Sequence, residues 1–243
     1  MTRAVSRTMN SGAGQDEVPF TRRGALAGAR LTLPLAVSVA AYGTVFGVLA
    51  RRADLSLAES VLMSGLVYAG ASQFVAVELW AAGTTAVALV LTTLLVNLRH
   101  LLMGAALHEW FSRLPARRAY GTLFFLNDES WALTLAEHDR GQRDAAFLAG
   151  SGLTLWGAWV GATGAGHLAG SAIGDPTALG LDFAFAAVFA ALLVGMFKGR
   201  ADLLPWLTGA AVAVVADWLL PGNWYVLLGG LAGCLVGALR DGD

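Results

Sequence analysis

The sequence predicts an all-α fold, that of a polytopic helical membrane protein with about seven or eight membrane segments, some of them broken or re-entrant. Of its 243 residues, 56% are hydrophobic and 30 are glycine, whereas only 14% are charged. An ordinary soluble domain has about 25% charged residues. The apolar residues also fall in runs of about 20, the helix length that crosses a bilayer core of about 30 Å.

The apolar runs follow one another with short polar connections. They cover residues 31–50, 57–80, 84–107, 120–136, 145–169, 183–197, 203–220 and 224–239. Residues 1–24 show no apolar period and are rich in Ser, Thr, Gly, Asn and Arg, so we expect a disordered N-terminal tail there. That stretch also lacks the apolar core of a signal peptide. A transmembrane helical domain is therefore expected over 25–243.

Arginines in the loops predict conflicting orientations for the first half of the chain. Positive residues favour cytoplasmic loops, yet eight simple crossings place the arginines at 51–52 and 113–118 outside. The fourth run is the best candidate for an incomplete crossing. Its centre reads Asn127-Asp128-Glu129-Ser130, and each central acidic residue costs about 2.5–3.5 kcal/mol on insertion. We expect this run to be broken or re-entrant.

Glycine spacing suggests an internal repeat. A shift of 123 residues places Gly43 and Gly47 over Gly166 and Gly170. Duplicated halves are common in secondary transporters, although chance pairs also arise easily in a glycine-rich chain. Glycines at four-residue spacing favour close helix packing, and those at 229, 233 and 237 are candidates for a face between subunits.

The third run contains polar residues inside an apolar stretch. Asn97, Arg99 and His100 lie there, and a buried arginine needs a partner, for which Asp128 and Glu129 of the next run are the candidates. These residues form an ion or substrate site in one interpretation. In the other, Arg99 extends to the membrane surface and the carboxylates lie in a hydrated loop.

Ser72 and Gln73 lie in a cluster of small residues at the middle of the second run. Small residues occur where a membrane helix unwinds to coordinate substrate, and they occur equally where helices pack closely and the polar side chains bond a neighbour. Asp182 follows Gly180 and precedes an apolar run, so it is either a coupling residue or a helix N-cap.

Several function classes are excluded or disfavoured by the sequence. A net charge of −1 disfavours nucleic-acid binding, and the single cysteine, Cys234, rules out an internal disulfide. No zinc-protease, dinucleotide or Walker motif is present. Ser151 with His167 hints at an intramembrane serine protease, on two residues only. We therefore expect no enzyme, no cofactor and no metal.

Four separated motifs resemble the AzlC-like large subunits of branched-chain amino acid exporters. They are Tyr68-Ala-Gly-Ala-Ser-Gln-Phe74, Val96-Asn-Leu-Arg-His-Leu-Leu102, Asp128-Glu129 with Trp131, and Leu179-Gly-Leu-Asp-Phe-Ala184. The resemblance implies a multi-pass permease of the inner membrane that exports leucine, isoleucine, valine and also methionine. It further implies a small AzlD-like membrane subunit as partner and energy from the proton motive force.

A zwitterionic substrate needs a positive group for its carboxylate, a negative one for its ammonium and an apolar pocket. We expect Arg99 to bind the carboxylate, and Asp128 or Glu129 to bind the ammonium. The orienting hydrogen bonders are Ser72, Gln73 and Asn97.

Proton coupling has its own candidates, His100, Asp128, Glu129 and Asp182, of which histidine changes charge near neutral pH. The alternative function is a non-transporting scaffold or assembly subunit, in which these polar residues only lock helices together.

Overall fold

The chain folds into α-helices throughout the part that the computed structural model describes, which is residues 18–170, 199–220 and 224–240 with the single positions 190, 194 and 197. The all-α prediction is thereby confirmed for these residues. The helices, in chain order, are α1 (Arg22–Arg52), α2 (Leu57–Leu66), α3 (Gly70–Ala81), α4 (Ala86–Ala106), α5 (His108–Phe111), α6 (Ala116–Leu123), α7 (Asp128–Asp139), α8 (Ala146–Gly170), α9 (Arg200–Leu219) and α10 (Trp224–Arg240).

Three of the described helices, α1, α4 and α9, are long and apolar enough to cross a membrane. Helix α2 and residues 228–240 of α10 are apolar but shorter. The larger number of membrane segments stays a prediction, and the run at 183–197 lies outside the described residues except for positions 190, 194 and 197.

The fourth apolar run is broken, as its acidic centre predicted. Helix α6 ends at Leu123 and α7 begins at Asp128. The Asn127 side chain accepts a hydrogen bond from the Ser130 N–H (2.8 Å), and the Ser130 hydroxyl accepts one from the Asn127 N–H (3.0 Å). This reciprocal cap satisfies backbone donors at the helix start. Re-entry of the run into the membrane stays a prediction.

Helix α1 begins earlier than the sequence suggested, at Arg22, inside the stretch assigned to the tail. The residues just before it are held by Asp144 and Ala145, which directly precede α8. Ala145 N–H donates to the Pro19 carbonyl (2.9 Å), and both the amide and the hydroxyl of Thr21 donate to the Asp144 carboxylate. The apolar-period criterion missed this because polar side-chain contacts anchor the segment. Residues 1–17 of the predicted tail lie outside the described residues.

The chain divides into two compact units. The first comprises the described residues up to Leu35 together with His100–Leu155. Its apolar core includes the buried side chains of Leu107, Phe111 and Leu148. Helices α1 and α8 approach closely within this unit, since a Cβ added at Gly150 would lie 1.8 Å from the Ala25 carbonyl oxygen.

The second unit comprises Ala36–Arg99 and the described residues from Trp156 onward. Within it the later part of α1 contacts the later part of α8 in the same chain direction, through glycines on both helices. A Cβ at Gly47 would lie 2.1 Å from the Thr163 oxygen, and a Cβ at Gly166 would lie 2.1 Å from the Thr44 oxygen. The glycine pairs therefore have a packing role. A duplicated half stays a prediction.

Helices α9 and α10 pack together in the second unit, and this contact corrects one interpretation of the sequence. A Cβ added at Gly229 would lie 2.8 Å from the Ala213 side chain, and one at Gly233 would lie 3.2 Å from the Pro205 oxygen. Two of the glycines suggested for a subunit interface are thus covered by a helix of the same chain. The four-residue spacing marks close packing without identifying the partner.

Candidate functional site

The second apolar run is interrupted in the middle of the motif that begins at Tyr68. Helix α2 starts with a capping box between Ser56 and Glu59 and ends with Val67 as its C-cap. Tyr68 takes a left-handed backbone conformation with φ +44°, and α3 begins at Gly70. Tyr68 and Ala69 are 5% and 4% exposed. The run is therefore two helices joined by a buried, non-helical connection, as the unwinding interpretation predicted.

Gln73 holds this connection together. Its Oε1 accepts hydrogen bonds from the Trp159 indole N–H (3.1 Å) and from the Ala69 amide (3.2 Å), while its Nε2 donates to Ser64 Oγ (3.1 Å). These bonds use three of the four that a glutamine side chain ordinarily makes. The Gln73 side chain is fully buried, so it joins α2, α3 and α8 at one point.

Side chains satisfy the backbone groups that the break releases. The Trp156 indole donates to the Gly65 carbonyl (3.0 Å), and Gln73 Oε1 accepts from the Ala69 amide. The Ser72 hydroxyl adds a second donor to the Ala69 carbonyl (2.9 Å), which also accepts from the Gln73 backbone N–H (2.9 Å). A buried backbone group without a partner costs about 1–3 kcal/mol. The non-helical connection is therefore stabilised by side chains that supply the missing partners, which is how broken membrane helices are tolerated. Both interpretations of Ser72 and Gln73 therefore apply: the helix is unwound here, and the two side chains bond neighbouring groups in a closely packed region.

Polar contacts continue from Gln73 along the interface of α2 with α8. Ser64 Oγ lies 2.9 Å from Thr163 Oγ1, and Ser60 Oγ lies 3.0 Å from His167 Nδ1. All four side chains are at most 3% exposed. We call Ser60, Ser64, Gln73, Thr163 and His167 the buried polar network.

Most of the buried polar network was not predicted from the sequence, although the sequence contains a signal for it. Ser60 and Ser64 are four residues apart in one apolar run, and Thr163 and His167 are four residues apart in another. A spacing of four places two side chains on one face of a helix. Two such polar pairs, one in each of two apolar runs, are the pattern expected where two helices turn their polar side chains toward each other.

An aromatic cluster packs beside Gln73. The ring of Phe46 lies 5.6 Å from Phe74 and 5.7 Å from Trp159, and Phe74 lies 6.2 Å from Trp159, measured between centroids. The same Trp159 that donates to Gln73 thus also forms an apolar wall. A polar group therefore lies beside a buried apolar surface.

The polar residues of the third run lie on α4. Asn97, Arg99 and His100 are each partly buried. Arg99 and His100 lie outside the arc of the helix that carries its large exposed apolar side chains, at 3.6 residues per turn. Those exposed side chains are Val87, Val90, Leu91, Leu94, Leu98, Leu101 and Leu102.

The predicted pairing of Arg99 with the carboxylates stays a prediction. Asp128 and Glu129 form the first turn of α7 in the first unit, where Asp128 is exposed and Glu129 partly buried. Arg99 belongs to the second unit. The structure joins Ser72 and Gln73 at the helix break, but Asp182 lies outside the described residues.

The two residues that hinted at a serine protease each have a different partner. Ser151 Oγ accepts a hydrogen bond from the Thr32 hydroxyl (2.7 Å) in the first unit. His167 contacts Ser60 in the second. A nucleophilic serine needs its general base within hydrogen-bond reach, so these contacts do not support the pair.

Comparison with known proteins adds a family. The family model described as AzlC protein matches residues 34–173. The chain is 31% identical over 220 residues to the inner membrane protein YgaZ of Escherichia coli, covering 88% of this chain and 89% of that protein. It is 31% identical over 209 residues to an uncharacterized membrane protein of Archaeoglobus fulgidus, covering 84% and 90%.

A more distant relative has a functional name. It is the branched-chain amino acid transport protein AzlC of Bacillus subtilis, 24% identical over 197 residues, with 81% of this chain and 77% of that protein covered. No solved structure matches the chain.

Proposed function

The chain belongs to the AzlC family of membrane proteins, and from that premise we propose that it is an inner-membrane permease that exports branched-chain amino acids. The observation that carries the proposal is the buried helix break at 67–69, to which the Gln73 side chain is hydrogen-bonded through the Ala69 amide. Broken helices form substrate sites in several transporter folds, because they present unpaired backbone groups away from lipid.

The start of α3 supports the recognition of an amino-acid carboxylate. The first N–H groups of a helix have no acceptor inside it and carry the positive end of its dipole. At α3 these groups belong to Gly70 and its successors, next to the buried aromatic cluster of Phe46, Phe74 and Trp159. Opening of this region would place an anion site beside an apolar surface suited to a branched side chain.

The remaining substrate roles follow the chemistry of a zwitterion. Arg99 binds the carboxylate together with the helix start, and Asp128 or Glu129 binds the ammonium. Asn97 orients the substrate with Ser72 and Gln73. Leucine, isoleucine and valine are the primary substrates, methionine is a further one, and a small AzlD-like subunit completes the permease. Inward proton flow drives export, with His100, Asp128, Glu129 and Asp182 as the coupling candidates from the sequence.

Efflux from intact cells tests the proposal. Cells are loaded with a leucine-containing dipeptide, and external leucine is followed with and without a protonophore. We expect the wild-type chain to raise efflux in a protonophore-sensitive way, and Arg99→Ala and Asp128→Asn to abolish the increase. Arg117→Ala is the matched control, because Arg117 is exposed on α6 and should leave efflux unchanged. Unchanged efflux in the first two variants, at equal expression, contradicts the site.

The alternative is a scaffold or assembly subunit. The three hydrogen bonds of Gln73 to neighbours in its own unit favour this alternative, because residues that lock helices together are bonded in that way. Purification of the complex separates the two functions. Variants that lose efflux while the complex stays assembled and melts as the wild type support transport, whereas loss of efflux that always accompanies dissociation supports the scaffold.

A further inference from the structure

His167 is a buried titratable group with no role among those assigned above. Its side chain is 3% exposed, and its Nδ1 lies 3.0 Å from the fully buried Ser60 hydroxyl. A lone buried histidine is ordinarily held in one protonation state, since burying an unpaired charge is costly. The contact with Ser60 is different, because its geometry serves both states.

The Ser60 hydroxyl has two alternative partners. Besides His167, it lies 3.0 Å from the Ser56 carbonyl oxygen, one turn earlier on α2. When His167 Nδ1 is bare, the hydroxyl donates to it. When Nδ1 carries a proton, the ring donates to Ser60 Oγ and the hydroxyl proton rotates to the Ser56 carbonyl. A serine hydroxyl is both donor and acceptor, so neither state leaves Nδ1 or the hydroxyl without a bond.

The histidine is also connected to the helix break. Thr163 lies one turn before His167 on α8, and Ser64 lies one turn after Ser60 on α2. Thr163 and Ser64 contact each other, and Ser64 accepts from the Gln73 amide that holds the break. A change in the distance between α2 and α8 at His167 therefore also shifts the Ser64–Thr163 contact one turn away. Through the bond from Gln73 to Ser64, that shift reaches the helix break, where the substrate site is proposed.

The surroundings of His167 are mostly uncharged. Helix α2 contributes Ser60, and α1 contributes Gly47, at which an added Cβ would lie 2.7 Å from the His167 backbone nitrogen. Burial of the ring and, after it, the field of Arg51 at the end of α1 act on the imidazole, and both oppose a positive charge there. A proton on Nδ1 therefore depends on the hydrogen bond to the Ser60 hydroxyl.

We propose that His167 carries the proton that is exchanged for substrate, and that the buried polar network transmits its protonation state to the helix break. The inference rests on the proposed export function. In each cycle one proton from the outer aqueous phase binds the neutral imidazole and gives the imidazolium. The same proton leaves to the cytoplasm after an amino acid has been released outside, and no bond between heavy atoms forms or breaks.

Transport by the full chain with its small partner in proteoliposomes tests this inference. Two assays run in parallel: accumulation of labelled leucine driven by an imposed pH gradient, and exchange of labelled for unlabelled leucine without a gradient. His167→Gln keeps a hydrogen-bonding side chain that does not titrate. We expect it to lose accumulation to the level of empty liposomes and to retain exchange. His108→Gln, the matched control at an exposed position on α5, should retain both.

The outcomes separate the two proposals. A His167→Gln variant that still accumulates leucine against the gradient overturns the role of His167. A wild-type chain that neither accumulates nor exchanges leucine refutes the export function, and this inference with it.

If His167→Gln loses both accumulation and exchange, a second measurement that leaves His167 in place tests whether the imidazole binds a proton. Since the chain has four histidines, the His167 signal of the ¹⁵N-histidine-labelled wild type is the one that persists in each of the single variants His100→Gln, His108→Gln and His138→Gln, and it is followed by NMR in the wild type. We expect that signal to titrate between about pH 5 and 8 and its midpoint to move when leucine is added. An imidazole that stays neutral throughout, or a midpoint unaffected by leucine, overturns the proposal.

Discussion

Helices α1 and α8 meet at Gly47, where the backbone of one helix touches that of the other. An added Cβ would lie 2.1 Å from the Thr163 oxygen and 2.7 Å from the His167 nitrogen. Real Cβ atoms essentially never approach heavy atoms within 3.0 Å. Gly47→Ala therefore requires the local separation to grow by at least 0.9 Å, the difference between 3.0 and 2.1 Å.

The expected cost follows from overpacking, which destabilises by about 1–3 kcal/mol because the backbone has to move. Thr163 and His167 also contact α2, so a displaced α8 strains the buried polar network as well. The intrinsic effect of the substitution has the opposite sign, since alanine is more favourable than glycine in a helix by about 1 kcal/mol.

Gly161→Ala is the matched control. Gly161 lies on α8, two residues from both Trp159 and Thr163, and an added Cβ there meets nothing within 4 Å among the described atoms. Gly161→Ala therefore gains the higher helix propensity of alanine without a steric clash. We therefore expect opposite signs: a lower melting temperature for Gly47→Ala and an unchanged or higher one for Gly161→Ala.

Thermal unfolding of the detergent-solubilised protein, monitored by size-exclusion chromatography after heating, compares both variants with the wild type. For a chain of this size, a loss of 1 kcal/mol lowers the melting temperature by about 2–4 °C, which is resolvable. A Gly47→Ala variant as stable as Gly161→Ala would falsify the backbone contact between α1 and α8.

Three further predictions follow from the hydrogen bonds. Gln73→Leu leaves two buried N–H donors without their acceptor and should lower the free energy of unfolding by about 2–6 kcal/mol, at about 1–3 kcal/mol per donor. Ser72→Ala removes one of two donors to the Ala69 carbonyl, which keeps its bond from the Gln73 backbone N–H, and should cost less than half as much in the same denaturation assay. Asn127→Ala removes the cap of α7 and should cost about 1 kcal/mol, with faster local amide exchange in the first turn of α7 as the check and unchanged exchange as the contrary result. Thr32→Val and Ser151→Ala remove opposite ends of one buried hydrogen bond, so their double-mutant cycle should show a coupling of about 0.5–1.5 kcal/mol, and additive effects would contradict the contact.

The broken helices show how far local sequence reasoning reaches. The four residues Asn127–Ser130 predicted the break before α7, because acidic residues are costly in lipid and asparagine with serine caps a helix. The break at Tyr68 was one of two interpretations, because small residues serve unwinding and close packing alike. Only the contacts of Gln73 with Ser64 and Trp159 showed that both occur together.

The sequence by itself determined that the chain is helical and that it is suited to a membrane. It also showed that Arg99, Asp128 and Glu129 carry charge within apolar runs, where a charge is costly unless it has a partner or a function. Composition and the length of apolar runs depend on single residues and their near neighbours, which a sequence contains completely. The tertiary structure decided which polar residues form a network. Ser60 and His167 are 107 positions apart, and a contact of that kind depends on how α2 and α8 pack, which local periodicity does not record.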